Sequence, residues 1–328
     1  MKKGKLLTLL PLMAMALTGC SQNNSSKDFS FDENKVFNIG VCQIVTHPAL
    51  DKATEGFKKA VEEGLGKDKV VFDVQEAAGE PAICATICNS FVSKKVDLIM
   101  ANATPALQAA ANSTLDIPIL GTSVTEYGVA LSIENFSGTV GGNISGTSDL
   151  APLDKQADMV KEFVPNAQNV GLLFCSAEAN SLYQVDTVEA CLKAQNINTK
   201  RISFSESNEL QSVLAGNIAG LDALYIPTDN VCAKNTSIID AVCRPAKLPV
   251  ICGEESLCAG CGIATLSIDY FALGVKTGEM ALEILKEGKD ISKMPIGYDT
   301  NPTKKFNKAI CQDLNITVPD GYVEIVVE

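Results

Sequence analysis

Polar side chains follow several short apolar runs of this chain, and they are the candidates for chemistry. Asn102-Ala-Thr-Pro105 follows the run Val96–Met100, and Pro227-Thr-Asp-Asn230 follows Leu221–Ile226. In an open α/β sheet, ligands bind just beyond the carboxyl ends of the strands. Carboxylates, amides and hydroxyls in such loops hold a small polar ligand through charge and hydrogen bonds. We therefore expect noncovalent binding where these strands end.

Signals for catalysis or a metal centre are weak in this sequence. It contains no G-x-S-x-G motif and no G-x-G-x-x-G loop after the first apolar run, and His47 is the only histidine. Cys42 lies near His47, but a cysteine buried in a strand is a poor nucleophile. Cys258-Ala-Gly-Cys261 has no second C-x-x-C to complete a zinc or iron–sulfur site. We expect no enzyme activity, no metal and no cofactor.

The polar strand ends occur twice along the chain, in the same order. Asn38-Ile-Gly-Val41 is echoed by Asn169-Val-Gly-Leu172, and Ile117-Pro-Ile-Leu120 is echoed by Leu248-Pro-Val-Ile251. The offset is about 130 residues, which is the size of one ordinary domain. The repetition predicts two similar lobes whose polar strand ends face each other across a cleft.

Alternating strands and helices indicate the architecture of each lobe. Val36–Val45 and Val70–Gln75 read as strands, and Ala49–Leu65 between them reads as an amphipathic helix. The alternation continues to a closing strand at Tyr322–Val327. This pattern predicts an α/β fold with a doubly wound parallel sheet in each lobe.

The first 35 residues are expected to lie outside the fold. Three lysines precede the apolar segment Leu6–Leu17, and Leu17-Thr-Gly-Cys20 looks like a bacterial lipobox. We interpret 1–20 as a signal peptide with lipidation at Cys20; an ordinary signal peptide with a chance cysteine is the alternative. Residues 21–35 read as a flexible tether. No later segment is long and apolar enough to span a membrane.

The composition of the mature chain argues against one class of partner and raises the question of disulfides. The net charge is −12, and removal of the three lysines before residue 20 makes it −15. Such an acidic surface argues against nucleic acid as a partner. Without Cys20, eleven of the twelve cysteines remain. They read either as small core residues or, in part, as a local disulfide within Cys252–Cys261.

Several of these segments together resemble a known family. The resemblance is to the substrate-binding lipoproteins of bacterial ABC transporters, in the branch whose characterised members bind tryptophan or tyrosine. It departs at Thr125-Glu-Tyr127, where relatives often have Thr-Asp-Pro, so selectivity for the ligand side chain is expected to differ. The segments that carry it are Gln43–Asp51, Asn102–Pro105, Gly146–Asp149, Glu178–Ser181, Pro227–Asn230 and Ile268–Tyr270.

The resemblance implies a type I periplasmic-binding-protein fold, with three crossovers between the lobes and closure on the ligand. It implies an ABC permease and ATPase as partners, and an extracytoplasmic monomer held at the bacterial cell membrane by the lipid on Cys20. Lobe 1 would comprise 36–148 and about 271–292, and lobe 2 would comprise 149–270 and about 293–328.

An amino acid ligand needs a carboxylate for its ammonium group and donors for its own carboxylate. Asp229, Asp269 and Glu178 are the candidates for the ammonium, with Asp229 preferred. Thr104 and Asn180 have a simpler reading as helix N-caps. A nucleoside or small-sugar receptor and a non-transport surface sensor or adhesin remain alternatives. The full set of predicted ligand-binding residues is Gln43, Thr46, His47, Asn102, Thr104, Thr122, Ser123, Thr125, Ser148, Asp149, Glu178, Asn180, Ser181, Thr228, Asp229, Asn230 and Asp269.

Overall fold

The computed structural model describes residues 29–299 and 301–326. The predicted signal peptide, Cys20 and residues 21–28 of the predicted tether lie outside the described residues. Within the described part, Phe31 stacks on Phe37 with 6.1 Å between ring centroids, so this end of the predicted tether packs on the fold. The strands are β1 (Phe37–Gln43), β2 (Val70–Glu76), β3 (Leu98–Asn102), β4 (Ile119–Val124), β5 (Ile144–Ser148), β6 (Asn169–Cys175), β7 (Asn198–Phe204), β8 (Ala223–Ile226), β9 (Val250–Cys252), β10 (Ala264–Ser267), β11 (Gly297–Tyr298), β12 (Thr303–Phe306) and β13 (Val323–Glu324).

Helices connect most of these strands and cover the sheets. Helix α1 begins at a proline, whose missing N–H costs nothing in a first turn, and buries Leu50, Phe57 and Val61 as its sequence pattern predicts. The helices are α1 (Pro48–Leu65), α2 (Pro81–Lys94), α3 (Thr104–Ser113), α4 (Tyr127–Ala130), α5 (Leu153–Phe163), α6 (Ala179–Ala194), α7 (Leu210–Ala215), α8 (Asn230–Lys234), α9 (Thr236–Cys243), α10 (Glu255–Cys261), α11 (Tyr270–Leu285) and α12 (Lys308–Asp313).

The strands form two sheets, and each sheet is the centre of one lobe. The first sheet has the order β11-β5-β4-β3-β1-β2, with every neighbouring pair parallel. The second has the order β13-β12-β10-β9-β8-β6-β7 and is parallel except for the antiparallel pair β10–β12. The predicted α/β fold with two parallel-sheet lobes is confirmed. We call the halves built on these sheets the first lobe and the second lobe.

The chain passes between the two sheets three times. It leaves the first sheet after β5, returns with α11 after β10, and leaves again after β11. The last crossing comes later than expected. Gly297–Tyr298 still pairs with β5, whereas the sequence analysis began the final segment of lobe 2 at about residue 293. The other predicted boundaries stay predictions. The closing strand is also shorter than Tyr322–Val327, since only Val323–Glu324 pairs within the described residues.

Helix α11 packs closely along α1 at two glycines. A Cβ on Gly274 would overlap the carbonyl oxygen of Ala53, and a Cβ on Gly56 would overlap that of Phe271. Only glycine lets the two backbones approach this closely. The contact fixes the returning helix against the first lobe.

The cysteines described by the structure are free thiols. There are eleven of them from Cys42 onward, and all but Cys191 are buried. Burial raises the pKa of Cys243 and Cys311 to about 12. This agrees with their reading as small core residues. In the same described part of the chain, no helix is long and apolar enough to cross a membrane.

Substitution of Gly274 by alanine should destabilise the protein. The new methyl group forces α1 and α11 apart, and such overpacking costs about 1–3 kcal/mol. Urea unfolding should report the loss. Gly216→Ala is the matched control, because Gly216 has φ −72° at the end of α7. It should change stability by no more than about 1 kcal/mol in either direction, because the atom closest to its Cβ would be the Ser212 carbonyl oxygen, at 3.3 Å. Equal effects of both substitutions would contradict the close helix contact.

Candidate functional site

Carboxyl ends of strands from both sheets meet around a small cavity between the lobes, which we call the inner cavity. Its volume is about 10 Å³. That is room for roughly one water-sized polar group. Most of its lining is polar, and it includes residues of both lobes and of two of the three connections between them. The lining residues are His47, Leu50, Ser123, Thr125, Asp149, Asn180, Thr228, Asp229, Asn230, Ala233, Glu254 and Tyr270.

A larger opening, the outer groove, lies beside the inner cavity and also runs between the lobes. Its volume is about 560 Å³, and Asn230 belongs to the lining of both spaces. Its apolar lining includes Ile44, Val45, Pro81, Pro105 and Val231. Its polar lining includes Glu80, Glu178, Ser205, Glu206, Ser207, Asn208, Lys234 and Asn235.

Four buried polar atoms in the lining of the inner cavity have no hydrogen-bond partner among the described residues. They are His47 Nδ1, Ser123 Oγ, Asp149 Oδ1 and Asn180 Oδ1. Each of these side chains is at most 6% exposed. A buried polar atom without a partner is unfavourable, so folded proteins rarely keep one. Four around one cavity indicate a site for a polar ligand.

Asp149 is the least compensated charge of the site. Its Oδ2 accepts a hydrogen bond of 2.9 Å from the Tyr270 hydroxyl. Burial raises the pKa of Asp149, although the hydroxyls of Tyr270 and Thr125 act in the opposite direction. No ion pair of the described residues includes Asp149. A cationic ligand group at Oδ1 would compensate this carboxylate.

His47 is held as a neutral hydrogen-bond acceptor. Its Nε2 lies 3.3 Å from Asn230 Oδ1, and Asn230 Nδ2 donates to Glu178 Oε2 over 2.7 Å. Since this arrangement makes Asn230 Oδ1 an acceptor, His47 Nε2 carries the proton and Nδ1 does not. Burial lowers the pKa of His47 to about 4, so the ring is neutral at pH 7. Nδ1 therefore presents a lone pair.

The predicted carboxylates of the second lobe mainly hold its loops. Asp229 lies in the lining, but its oxygens accept from the backbone N–H groups of Cys175 and Cys232 over 2.7 and 2.9 Å. Glu178 lines the outer groove and accepts from Asn180, Asn230 and Val231. Burial and the charge of Asp229 raise the pKa of Glu178 to about 8. Both side chains have most of their acceptor capacity occupied.

Asp269 lies away from the inner cavity. It caps α11 by accepting a 3.0 Å hydrogen bond from the Ala272 N–H, and it lines a different depression at the connection between the lobes. The structure therefore does not bring Asp269 together with the other predicted site residues. Its observed role is that of an N-cap.

Six other predicted site residues support the site without lining the inner cavity. Gln43 accepts from Thr54 Oγ1 over 2.7 Å, and Asn102 donates to the Leu50 carbonyl over 2.8 Å, which ties α1 to the ends of β1 and β3. The contacts of the other four are Thr46 N–H to Glu76, Thr122 with Thr147, Ser148 to the Thr125 carbonyl, and Ser181 accepting from Asn180.

Glu254 and Tyr270 line the inner cavity and Gln184 supports it, although the sequence did not predict them as site residues. Glu254 lies just after β9, and Ser123 lies at the end of β4, at the corresponding place of the internal repeat, so the repeat could have indicated Glu254. Tyr270 lies in one of the segments of the family resemblance, but only the structure joins it to Asp149. Gln184 positions Thr228 by accepting from its N–H and hydroxyl over 3.1 and 2.8 Å.

Two strand ends of the first lobe hold strained backbone. Ala103, between β3 and α3, has φ +87° and ψ 160°, a region that is almost exclusive to glycine. Ser123, at the end of β4, has φ +53°. The next residue after Ala103 is Thr104, whose Oγ1 is buried without a partner among the described residues. Strain of this kind concentrates at ligand sites, where the surrounding structure enforces a required geometry.

Comparisons with known proteins find matches over most of this chain. A family model described as ABC transporter substrate binding protein matches residues 38–326. A Clostridioides difficile protein named tyrosine-binding protein is 39% identical over 307 residues, which cover 90% of this chain and 88% of that relative.

Two solved structures from bacteria are also similar. An ABC domain from Streptococcus pneumoniae in complex with L-Trp has 29% identity and a TM-score of 0.84, covering 89% of this chain and all of that one. The ligand-free, open structure of a Clostridium difficile substrate binding protein with adhesive properties has 35% identity and a TM-score of 0.67, covering 88% and 99%. The match of the family model over nearly the whole described fold, together with these relatives, shows that this chain belongs to the ABC transporter substrate-binding proteins.

Proposed function

We propose that this chain binds a free aromatic amino acid, tryptophan or tyrosine, between its lobes and delivers it to the permease of an ABC importer. Asp149 carries the proposal, because its buried Oδ1 has neither a hydrogen-bond donor nor a cation among the described residues. The ammonium group of an amino acid supplies both. The names of the tyrosine-binding relative and the tryptophan-bound structure support the aromatic class.

The ammonium group would lie in the inner cavity. An ammonium group has three N–H donors, and three unpartnered acceptors line this space: Asp149 Oδ1, His47 Nδ1 and Asn180 Oδ1. The cavity volume of about 10 Å³ suits one such group. Asp149 takes over the role that the sequence analysis assigned to Asp229, Asp269 and Glu178.

The ligand carboxylate would lie near the start of α3 and the end of β4. Ser123 Oγ and Thr104 Oγ1 are both buried without partners among the described residues, on adjacent strand ends joined by the 2.9 Å hydrogen bond from Ala103 N–H to the Thr122 carbonyl. Helix α3 has ten residues, so its N-terminus carries a positive partial charge. Two hydroxyls and this helix end hold a carboxylate without a buried arginine.

Delivery would depend on lobe closure. Hydrogen bonds of the described residues cross the cleft between the lobes, among them those from His47 Nε2 to Asn230 Oδ1 and from Lys234 Nζ to the Ala78 carbonyl, each 3.3 Å long. The chain is more similar in shape to the tryptophan-bound structure than to the open one, although its sequence is closer to the latter. These observations support a closed form that a ligand stabilises and a permease with its ATPase then recognises.

We also propose that the protein acts outside the cytoplasm, anchored through a lipid on Cys20. The proposal rests on the lipobox-like Leu17-Thr-Gly-Cys20 and on the family. Surface adhesion is a second candidate function, because one similar structure is of a substrate binding protein with adhesive properties. A neutral sugar or nucleoside fits less well, since it would leave Asp149 without a cation.

Calorimetry on the chain from Ser21 onward tests the ligand class. The protein should be unfolded and refolded first, to remove any ligand carried through purification. The panel is the twenty amino acids with adenosine, guanosine and ribose. We expect binding of tryptophan or tyrosine; binding confined to ribose or a nucleoside would overturn the proposal.

Asp149→Asn should weaken amino acid binding by roughly 30-fold or more. The reason is that removing one partner of a buried charge pair costs about 2–5 kcal/mol. Asp269→Asn is the matched control, because asparagine also caps a helix and Asp269 lies outside the inner cavity. Calorimetry should show unchanged affinity for the control. A large loss of affinity in Asp269→Asn with none in Asp149→Asn would contradict the proposal and would favour Asp269, a candidate from the sequence, as the partner of the ligand ammonium.

Lobe closure should lower the pKa of His47. The closed form buries the ring and lowers its pKa to about 4, whereas an imidazole in water titrates near 6.5. Proton NMR can follow this directly, because the chain has a single histidine. Saturating ligand should move the titration from near 6.5 toward about 4, and urea-unfolded protein gives the reference. If the pKa of His47 is the same with and without ligand, the result would argue against closure of the lobes over His47.

A further inference from the structure

Strand β4 carries one extra residue opposite β5. The register of this pair shifts between Gly121 and Val124. In that interval Thr122 and Ser123 lie opposite the single residue Thr147. Such an insertion is a β-bulge, which bends the strand and redirects its side chains, and bulges are common next to functional sites. The bulge therefore decides which way the end of β4 faces.

Ser123 is the residue that the bulge directs at the inner cavity. Its φ of +53° is uncommon for a residue other than glycine, and its buried Oγ lines the cavity without a partner among the described residues. The hydroxyl of Thr122, the other bulge residue, instead lies 3.2 Å from Thr147 Oγ1. The direction of the Ser123 hydroxyl thus comes from the backbone and not from contacts of its own side chain.

The hydroxyl of Tyr127 lies against this bulge. The side chain is 1% exposed, and Oη donates a 3.1 Å hydrogen bond to the carbonyl of Thr147, the residue opposite the bulge. Burial and the nearby charge of Asp149 raise the pKa of Tyr127, so the hydroxyl keeps its proton and donates. The ring stacks on Phe136 with 6.5 Å between centroids. Tyr127 thereby ties the start of α4 to β5 beside the bulge.

Two glycines leave room for this hydroxyl. A Cβ on Gly121 or on Gly146 would lie 2.5 Å from Tyr127 Oη. Gly146 also has φ +143°, a conformation that other residues rarely adopt. The two glycines and the tyrosine hydroxyl between them therefore fit one another. Phenylalanine at position 127 would keep the ring in place and remove only the hydroxyl with its hydrogen bond.

Tyr127 acts at a distance from the proposed ligand. It lies in Thr125-Glu-Tyr127, the segment where the sequence departs from the pattern of its relatives. It lines neither the inner cavity nor the outer groove. Any influence of Tyr127 on binding must therefore pass through the strand ends that it holds.

We propose that Tyr127 is a positioning residue, which through the Thr147 carbonyl holds the bulge that directs Ser123 Oγ toward the carboxylate of the bound amino acid. The inference rests on the proposed binding of an amino acid. It adds a residue that determines affinity without touching the ligand.

The first test removes the hydroxyl of Tyr127. By calorimetry, Tyr127→Phe should weaken binding of tryptophan or tyrosine by about 5-fold, since the hydrogen bond from a misdirected Ser123 is lost. Tyr225→Phe is the matched control. The Tyr225 hydroxyl is also buried and donates to Gln156 over 2.7 Å, but neither residue lines the inner cavity. The control should lose comparable stability in urea and keep its affinity.

The second test asks whether Tyr127 acts through Ser123. In a Ser123→Ala background the hydroxyl to be directed is absent, so Tyr127→Phe should then cost less than about 2-fold in affinity. A merely structural role of Tyr127 would cost the same factor in both backgrounds. The double-mutant cycle therefore separates positioning from a general loss of stability.

The third test needs no ligand. The Asp149 N–H donates to the Val124 carbonyl over 3.3 Å, directly after the bulge. Tyr127→Phe should speed hydrogen exchange of the Asp149 amide by about 5-fold, because exchange through local opening follows local stability. Tyr225→Phe should leave this amide unchanged, and NMR of the ligand-free protein reports both.

The outcomes separate this inference from the proposed function. If the wild-type protein binds no amino acid, the proposed function fails and the inference about the ligand fails with it, while hydrogen exchange still decides whether Tyr127 holds the bulge. If the wild-type protein binds, but Tyr127→Phe keeps full affinity or loses the same factor with and without Ser123, the inference alone is overturned. A loss that disappears in Ser123→Ala would establish Tyr127 as the positioning residue.

Discussion

The hydrogen bond from Tyr270 to Asp149 is the interaction on which the arrangement of the site depends. Asp149 follows β5 where the chain first leaves the first sheet, and Tyr270 opens α11 where the chain returns. The 2.9 Å bond therefore joins two of the three connections between the lobes. It satisfies one carboxylate oxygen and turns the other toward the inner cavity. The carboxylate with the fewest compensating contacts among the described residues of the site is thereby fixed at a point that both lobes reach.

Two other buried carboxylates near the cavity differ from Asp149 because their oxygens are occupied by hydrogen bonds within the protein. Asp229 and Glu178 are both buried, but backbone N–H groups occupy them and hold the loops after β6 and β8. These hydrogen bonds hold this surface of the second lobe rigid. Rigidity of this kind reduces the conformational entropy that a ligand would otherwise have to offset. The first lobe contributes the complementary part through His47 and Ser123.

The fold could be predicted from the sequence because it follows from local patterns of apolar and polar residues. Apolar runs at regular spacing and their repetition after about 130 residues predict two parallel-sheet lobes without any knowledge of contacts. The short strand Gly297–Tyr298 and the antiparallel β12 escaped prediction, since two to four residues carry too little periodicity. The gathering of these polar side chains was also predictable, because polar residues after strands meet at one edge of a sheet.

The roles of individual carboxylates were not predictable from the sequence. Asp229 has the stronger local context, in a polar loop directly after an apolar strand. Its engagement with Cys175 spans 54 residues, and that of Asp149 with Tyr270 spans 121 residues. Whether a carboxylate is free or occupied depends on such distant partners, which no local pattern contains.

The buried cysteines affect how long the protein persists once it leaves its native state. Ten of the eleven that the structure describes are shielded from solvent. Burial raises the pKa of Cys175, Cys243 and Cys311, which suppresses their reactive thiolate form. An unfolded chain exposes all of them together, with ordinary thiol acidity and many ways to pair wrongly. Under oxidising conditions, each unfolding event is then an irreversible loss. Under such conditions, the working lifetime of the protein would be set by the height of the unfolding barrier and not by the equilibrium between folded and unfolded states.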